Sequence, residues 1–180
     1  MKKASIIWIA LLLAFALNGC KKLWFGKDDE LSLPRQNYDG KELRTDGYYY
    51  NTQDGHYFGI ITFFYTNGIS FRPNGTFKSL EETDRYILNR LITDHEQGKN
   101  KLNWRIFSIK DNKILINYWV PPKPYTSYYY EGEIISDSCF MITKSYRFVN
   151  EIKTDELELN SLFYFRRFSP KPDSTNSFIP

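Results

Sequence analysis

The chain has little cysteine and little histidine. Its 180 residues include only Cys20 and Cys139 of the first type and only His56 and His95 of the second. Two cysteines cannot supply the disulfide framework that holds small secreted domains together, so stability must come from a packed core. The two histidines lack the short spacing to a second ligand that metal sites show, so neither a metal nor another cofactor is expected.

The chain also lacks an excess of one charge. It carries 24 Lys and Arg against 21 Asp and Glu, a formal net charge of +3 at pH 7. A nucleic-acid binder would show a clustered basic surface, so no nucleic-acid partner is expected. No Gly-x-Ser-x-Gly elbow, phosphate-binding loop, zinc motif or dinucleotide fingerprint occurs in the sequence, which argues against the enzyme classes that depend on them.

One long apolar run is present, at the start of the chain. Met1-Lys2-Lys3 is basic, and residues 5–17 are almost entirely apolar, which is typical of a secretory signal peptide. The run is shorter than the roughly 20 apolar residues of a spanning helix. Leu17-Asn18-Gly19-Cys20 follows it and resembles the lipobox of bacterial lipoproteins, although Asn18 stands where Ser, Ala or Thr is usual.

This resemblance implies that residues 1–19 are a signal peptide and that Cys20 is lipidated. The protein would then be anchored to a membrane through Cys20 without crossing it, since acyl chains bury in the bilayer. Lys21 and Lys22 follow the cysteine and favour the outer membrane, on its periplasmic face or at the cell surface. The alternatives are an ordinary signal peptide with a chance cysteine or an uncleaved amino-terminal anchor.

Two flanking segments enclose the predicted domain, which spans residues 43–168. Residues 20–42 have mixed charge and no sustained periodicity, which predicts a tether after the lipidated cysteine. The alternative is an arm that packs on the domain through Leu31 and Leu33. Residues 169–180 are rich in Pro and Ser and are predicted to form a carboxyl-terminal tail.

Within the domain, short aromatic and β-branched runs alternate with turn signals such as Asn67-Gly68. This pattern predicts about eight or nine strands with polar connections, one of them over residues 148–155. Ser79 and Glu82 have the spacing of a capping box, in which each side chain satisfies a backbone N–H near the helix start. Apolar residues at helical spacing follow, and they predict one inserted α-helix over about residues 80–97.

The predicted fold is mainly β, an antiparallel meander. Consecutive strands are joined by short loops or by the one helix, which makes sequential pairing the economical topology. A meander leaves unpaired edges unless it closes, so a closed or half-open barrel is predicted, with a curved open sheet as the alternative. This layout resembles the small lipocalin-like lipoproteins of Gram-negative envelopes, and residues 167–176 resemble the tail of uncharacterised bacterial lipoproteins. These resemblances imply a fold, but without a full lipocalin signature they do not extend ligand binding to this chain.

Aromatic residues are abundant, with 14 Tyr, 14 Phe and 4 Trp. Tyr and Trp offer flat faces with a polar group, which suit glycans, hydrophobic ligands or a protein partner, although simple packing would also use them. The candidate ligand-binding residues are Tyr48, Tyr50, Trp119, Tyr128, Tyr130 and Arg166.

Glu131 and Glu133 are the one candidate catalytic pair. They stand two apart on a predicted strand and would share a face, at a separation that glycosidase carboxylates also show. A solvated strand face explains them equally well. We therefore expect a non-enzymatic, lipid-anchored envelope protein that binds a hydrophobic ligand, a glycan or an envelope protein. The alternatives are a structural or assembly lipoprotein without ligand and a glycan-active hydrolase that uses Glu131 or Glu133.

Overall fold

The computed structural model describes residues 26–53, 56–94 and 96–180. Cys20, the predicted signal peptide and His95 lie outside these residues. Within them, eight strands follow one another along the chain. They are β1 (Gly47–Gln53), β2 (His56–Phe64), β3 (Ile69–Phe71), β4 (Trp104–Lys110), β5 (Lys113–Val120), β6 (Thr126–Ser136), β7 (Cys139–Val149) and β8 (Ile152–Arg167).

These strands form a closed antiparallel barrel in sequential order. Each strand pairs with the next, and β1 closes the ring by pairing with β8 from Gly47 opposite Arg167 to Thr52 opposite Leu162. Closure removes the two edges that an open meander would expose. The predicted mainly-β fold and its closed form are confirmed, and the barrel is compatible with a lipocalin-like fold.

The long hairpin of β7 and β8 corrects one prediction. Residues 148–155, expected to be a polar connection, are mostly strand, and only Asn150 and Glu151 turn between Val149 and Ile152. Both turn residues have positive φ, 50° and 67°. This backbone is what a two-residue hairpin turn requires, and it lets the strands continue almost to the tip.

The helix begins at its predicted cap. Ser79 Oγ accepts a hydrogen bond from Glu82 N, and Glu82 Oε2 accepts one from Lys78 N, so the cap is reciprocal but shifted by one residue. The α-helix α1 (Leu80–Tyr86) continues as a π-helical turn (Ile87–Ile92). The helical segment thus ends at Ile92 rather than near residue 97. Two short 3₁₀ turns, Glu96–Lys99 and Lys101–Asn103, then lead into β4.

Alternation along the strands builds two apolar clusters, one on each face of the barrel wall. The inner cluster fills one end of the barrel, and its largest fully buried members are Tyr49, Phe64, Phe107 and Phe140. The outer cluster lies between the wall and the segments that cover it, with Tyr48, Phe63, Phe71 and Trp104 at its centre. Both faces of much of the sheet are therefore buried.

The outer cluster is covered by the helix and by the two flanking segments. Ile87 and Leu91 of the helical segment, Leu31 and Leu33 of the amino-terminal segment, and Ile179 of the tail all belong to it or pack against it. Residues 26–42, predicted as a tether, therefore lie along the barrel from the first described residue. This is the alternative arrangement considered from the sequence, an arm that packs on the domain through Leu31 and Leu33.

The two ends of the barrel differ. The closed end carries the turns at residues 65–68, 111–112 and 137–138, and Tyr38 and Leu43 pack there against the inner cluster. Lys171 of the tail also contacts this end, where its Nζ donates to the carbonyl oxygen of Phe64 at 2.8 Å. Burial lowers the pKa of Lys171 to about 8. The opposite end, reached by the connections at residues 72–103, 121–125 and 150–151, is called the polar end below.

Candidate functional site

The interior of the polar end encloses a cavity of about 160 Å³. Its lining residues are half apolar and half polar in type. The apolar half is Ile60, Ile116, Phe140, Ile142, Leu159 and Phe163, and the polar half is Asn51, Thr62, Arg72, Arg105, Tyr130 and Ser161. Because the lining residues come from most strands of the ring, the site exists only when the barrel is closed.

Strand register places the polar side chains together. Arg105 lies opposite Tyr118 on β5 and opposite Ser70 on β3, and Ile116 lies opposite Tyr130 on β6. Directly opposed residues project to the same face of a sheet. Arg105 is followed two positions later by the inner-cluster residue Phe107, so this arginine points into the barrel on the same face as the apolar core.

Arg105 is the most unusual group of the interior. It is 8% exposed, and its Nε has no hydrogen-bond partner among the described residues. No Asp or Glu of that part of the chain forms an ion pair with Arg105 or Arg72. Burial and the neighbouring Arg72 lower the pKa of Arg105 to about 9. The guanidinium therefore stays cationic at neutral pH.

Two stacked tyrosine rings lie beside this cation. The rings of Tyr118 and Tyr130 stack with centroids 4.3 Å apart, and Arg105 Cζ lies 4.9 Å and 5.8 Å from the two ring centroids. Cation–π contact partly replaces the lost hydration of the guanidinium. Burial acts to raise the pKa of Tyr130, but the charges of Arg105 and Arg72 outweigh it and hold that pKa below its usual range.

The arrangement supplies hydrogen-bond donors and positive charge, and no acid–base pair. Ser70, opposite Arg105, is fully buried, and its Oγ has no hydrogen-bond partner within the described residues. Buried polar groups are normally satisfied, so an unsatisfied cluster beside a cavity points to something that fills it. The chemistry that the site offers is therefore the binding of an acceptor-rich group.

The structure divides the six predicted ligand-binding residues between the two faces of the wall. Tyr130 lines the cavity. Tyr128 lies on the same face of β6 nearer the polar end, where its hydroxyl donates to Asp155 Oδ2 at 3.1 Å. The other four belong to the outer side: Tyr48, Trp119 and Arg166 contact the covering segments, and Tyr50 packs against the outer cluster.

The outer residues attach those covering segments to the barrel. Arg166 Nη2 donates to Asp84 Oδ2 of α1 at 2.6 Å, and Tyr48 Oη donates to the same carboxylate at 2.7 Å. Trp119 Nε1 donates to the carbonyl oxygen of Asp29 at 2.7 Å and so holds the amino-terminal segment. Ion-paired and hydrogen-bonded in this way, these groups hold the helix and the amino-terminal segment on the wall.

Sequence reasoning missed Arg72 and Arg105. The signal was present for Arg105, because the run Trp104-Arg105-Ile106-Phe107 places an arginine on the same strand face as Phe107. An arginine among inward-facing apolar residues is rare unless it is paired. Arg72 follows the short strand β3 and carries no such periodicity, so nothing in the sequence points to it.

A larger cavity of about 710 Å³ lies outside the barrel, between residues 27–35, the wall and the end of the tail. Its charged groups already have partners. Lys101 Nζ lies 2.8 Å from Asp28 Oδ2, and Lys27 pairs with Glu30. Satisfied ion pairs leave little reason for a charged ligand to bind there, so we favour the smaller cavity.

Glu131 and Glu133 line neither cavity. Glu131 Oε2 lies 3.4 Å from Lys153 Nζ on the outer surface, and Glu133 is exposed opposite Lys113. Burial raises the pKa of the Cys139 thiol, which lowers its reactivity. No group of three or more metal-ligating side chains occurs in the described part of the chain.

Among the residues that the structure describes, no helix has the length and apolarity to cross a bilayer. No family model matches the chain, and comparison with curated proteins and with solved structures finds no match either.

Proposed function

We propose that the protein is a non-enzymatic, lipid-anchored envelope protein whose barrel binds a small ligand in the cavity of the polar end. One observation carries the binding role: an internal cavity lined by the buried cation of Arg105, whose Nε has no hydrogen-bond partner among the described residues. A barrel with a purely structural role would fill this space with side chains, because unsatisfied buried groups cost about 1–3 kcal/mol each.

The burial of two aromatic residues on the outer face argues against a binding surface there and so favours the cavity. The aromatic residues that could have formed an exposed binding surface, Tyr48 and Trp119, are buried under the covering segments. A glycan platform would need such rings accessible to solvent. The cavity of the polar end combines the aromatic ring of Tyr130, the charge of Arg105 and open volume.

Ligand occupancy is tested on protein isolated from the envelope of its native host, by native mass spectrometry before and after denaturation. Wild type should release a small molecule of defined mass. Ser161→Phe, which fills the cavity from β8, should release none. Asn160→Phe places the same ring on the neighbouring exposed position of that strand and should behave as wild type.

A clean apo mass for wild type would contradict the ligand-binding role and favour a structural or assembly role. The same follows if Ser161→Phe retains the molecule in full while its circular dichroism matches wild type. A released mass confined to wild type and Asn160→Phe places the ligand in the cavity.

Lipid anchoring rests on the sequence Leu17-Asn18-Gly19-Cys20, and Lys21 and Lys22 favour the outer membrane. Cys20→Ser should move the protein from the membrane fraction to the soluble fraction and remove labelled fatty acid from it. Cys139→Ser is the matched control, because that thiol lies within the domain and should not affect fractionation. Unchanged membrane association of Cys20→Ser, with no label on wild type, would overturn the anchor.

A further inference from the structure

The charge balance of the cavity restricts the kind of ligand. Arg105 is buried, Arg72 is half-buried, and both line the cavity. No carboxylate in the described residues pairs with either arginine. A buried charge that is neither paired nor fully hydrogen-bonded is strongly disfavoured. Resting on the binding role proposed above, we infer that the ligand is a compact organic acid whose carboxylate completes this cluster.

The available donors suit a carboxylate. Arg105 Nε is free of hydrogen-bond partners, as is Ser70 Oγ beside it. A guanidinium presents N–H groups in a planar fork that matches the two oxygens of a carboxylate. Arg72 and Tyr130 also line the cavity, so the anion would meet donors from β4, β6 and the end of β3.

The other lining residues and the volume of the cavity indicate the chemistry and size of the rest of the ligand. The lining also includes apolar side chains, among them Ile60, Ile142 and Leu159, which favour an apolar body. A volume of about 160 Å³ is close to that of the engineered cavity of about 150 Å³ that accepts benzene. A single aromatic ring or a short branched chain would therefore fit, whereas a long acyl chain or a sugar oligomer would not.

Three isosteric probes separate charge from shape. Benzoate, benzamide and benzamidine carry the same ring with a negative, a neutral and a positive substituent. Titration calorimetry of the purified full-length protein should find benzoate bound at least about tenfold more tightly than benzamide, as expected for hydrogen bonds to a charged group. Benzamidine should not bind, because a second cation would face Arg105 and Arg72.

Two variants assign the effect to Arg105. Arg105→Gln should lower the affinity for benzoate about 10- to 100-fold and leave that for benzamide nearly unchanged. Arg90→Gln removes the same side chain from an exposed ion pair with Asp94 on the helix and should bind all three probes as wild type does. Near-ultraviolet circular dichroism of each variant checks that the tyrosine environment is kept.

The outcomes separate this inference from the binding role on which it rests. Equal affinities for benzoate and benzamide would overturn the anionic ligand while leaving a ligand-binding barrel. Inorganic phosphate that competes with benzoate at equal affinity would overturn the apolar body. If no probe binds and wild type from its native host releases no small molecule, both proposals fail. Preference for benzoate that Arg105→Gln abolishes supports the carboxylate site.

Discussion

Phe140→Ala should lower the free energy of unfolding by about 3–5 kcal/mol, as removal of a fully buried ring typically does. Phe140 is 0% exposed and lies at the centre of the inner cluster. Its ring stacks on Phe163 with centroids 4.7 Å apart and contacts the rings of Tyr49 and Phe64 at 5.2 Å and 5.6 Å. Alanine would leave a void that these neighbours, fixed in a closed ring of strands, cannot fill by collapse.

Urea-induced unfolding followed by tyrosine and tryptophan fluorescence measures this effect. Phe148→Ala on the same strand is the control. Its ring is 49% exposed and forms T-shaped pairs with Tyr129 and Tyr146, so a loss below about 1 kcal/mol is expected. Similar losses for the two variants would show that Phe140 does not occupy a packed interior.

Arg105→Met should stabilise the ligand-free protein, by on the order of 1–4 kcal/mol. Replacement of a buried charge by an apolar side chain of similar length removes a desolvation cost that, in the described residues, no carboxylate offsets. It also relieves the repulsion from Arg72, which contributes to the lowered pKa of Arg105. A binding residue that weakens the fold is expected where function and stability make opposite demands.

The measurement is the urea midpoint of ligand-free protein at pH 7, with Arg105→Lys as the matched control. Lysine keeps the buried charge and should bring no stabilisation. A lower midpoint for Arg105→Met than for wild type would show that the contacts of the guanidinium with Tyr118 and Tyr130 outweigh its desolvation. Arg105 would then be a structural residue, and the carboxylate site would lose its main support.

The sequence was sufficient to predict the barrel, because its signals are local. Turn dipeptides and β-branched runs mark hairpins, and Ser79 marks the helix start at the residue where the structure has it. The helix end was harder to predict, because the segment finishes as a π-helical turn, Ile87–Ile92, which apolar residues at α-helical spacing do not indicate.

The inward face of each strand could not be predicted, and the tyrosine run at residues 48–50 shows why. Alternation assigns Tyr48 and Tyr49 to opposite faces, and a barrel with a solvated exterior would bury only one of them. Both are 0% exposed, since Tyr48 lies beneath the helix through its bond to Asp84. Burial of the outer face depends on segments that are distant in sequence. Composition alone therefore could not distinguish outward-facing aromatic residues from inward-facing ones.

The amino-terminal segment illustrates the same limit. Asp28 Oδ1 accepts from Tyr125 N, and Asp29 Oδ2 accepts from Ser127 N, both at the start of β6. In the sequence these acids are only part of a charged run, and a charged run is usually solvated. The residues that hold this segment come after the helix in the chain. No local sequence pattern links them to Asp28 and Asp29.

The pairing of β1 with β8 has a consequence for how the chain reaches its native state. Among the described strands this is the one pair whose members are not consecutive, joining Tyr49 to Phe165. Closing it fixes nearly the whole domain as a loop, so its entropic cost is the largest of the eight pairings. Until the pair forms, the polypeptide is an open sheet with two unpaired edges, and the interval before closure is the stage most exposed to intermolecular strand addition and aggregation.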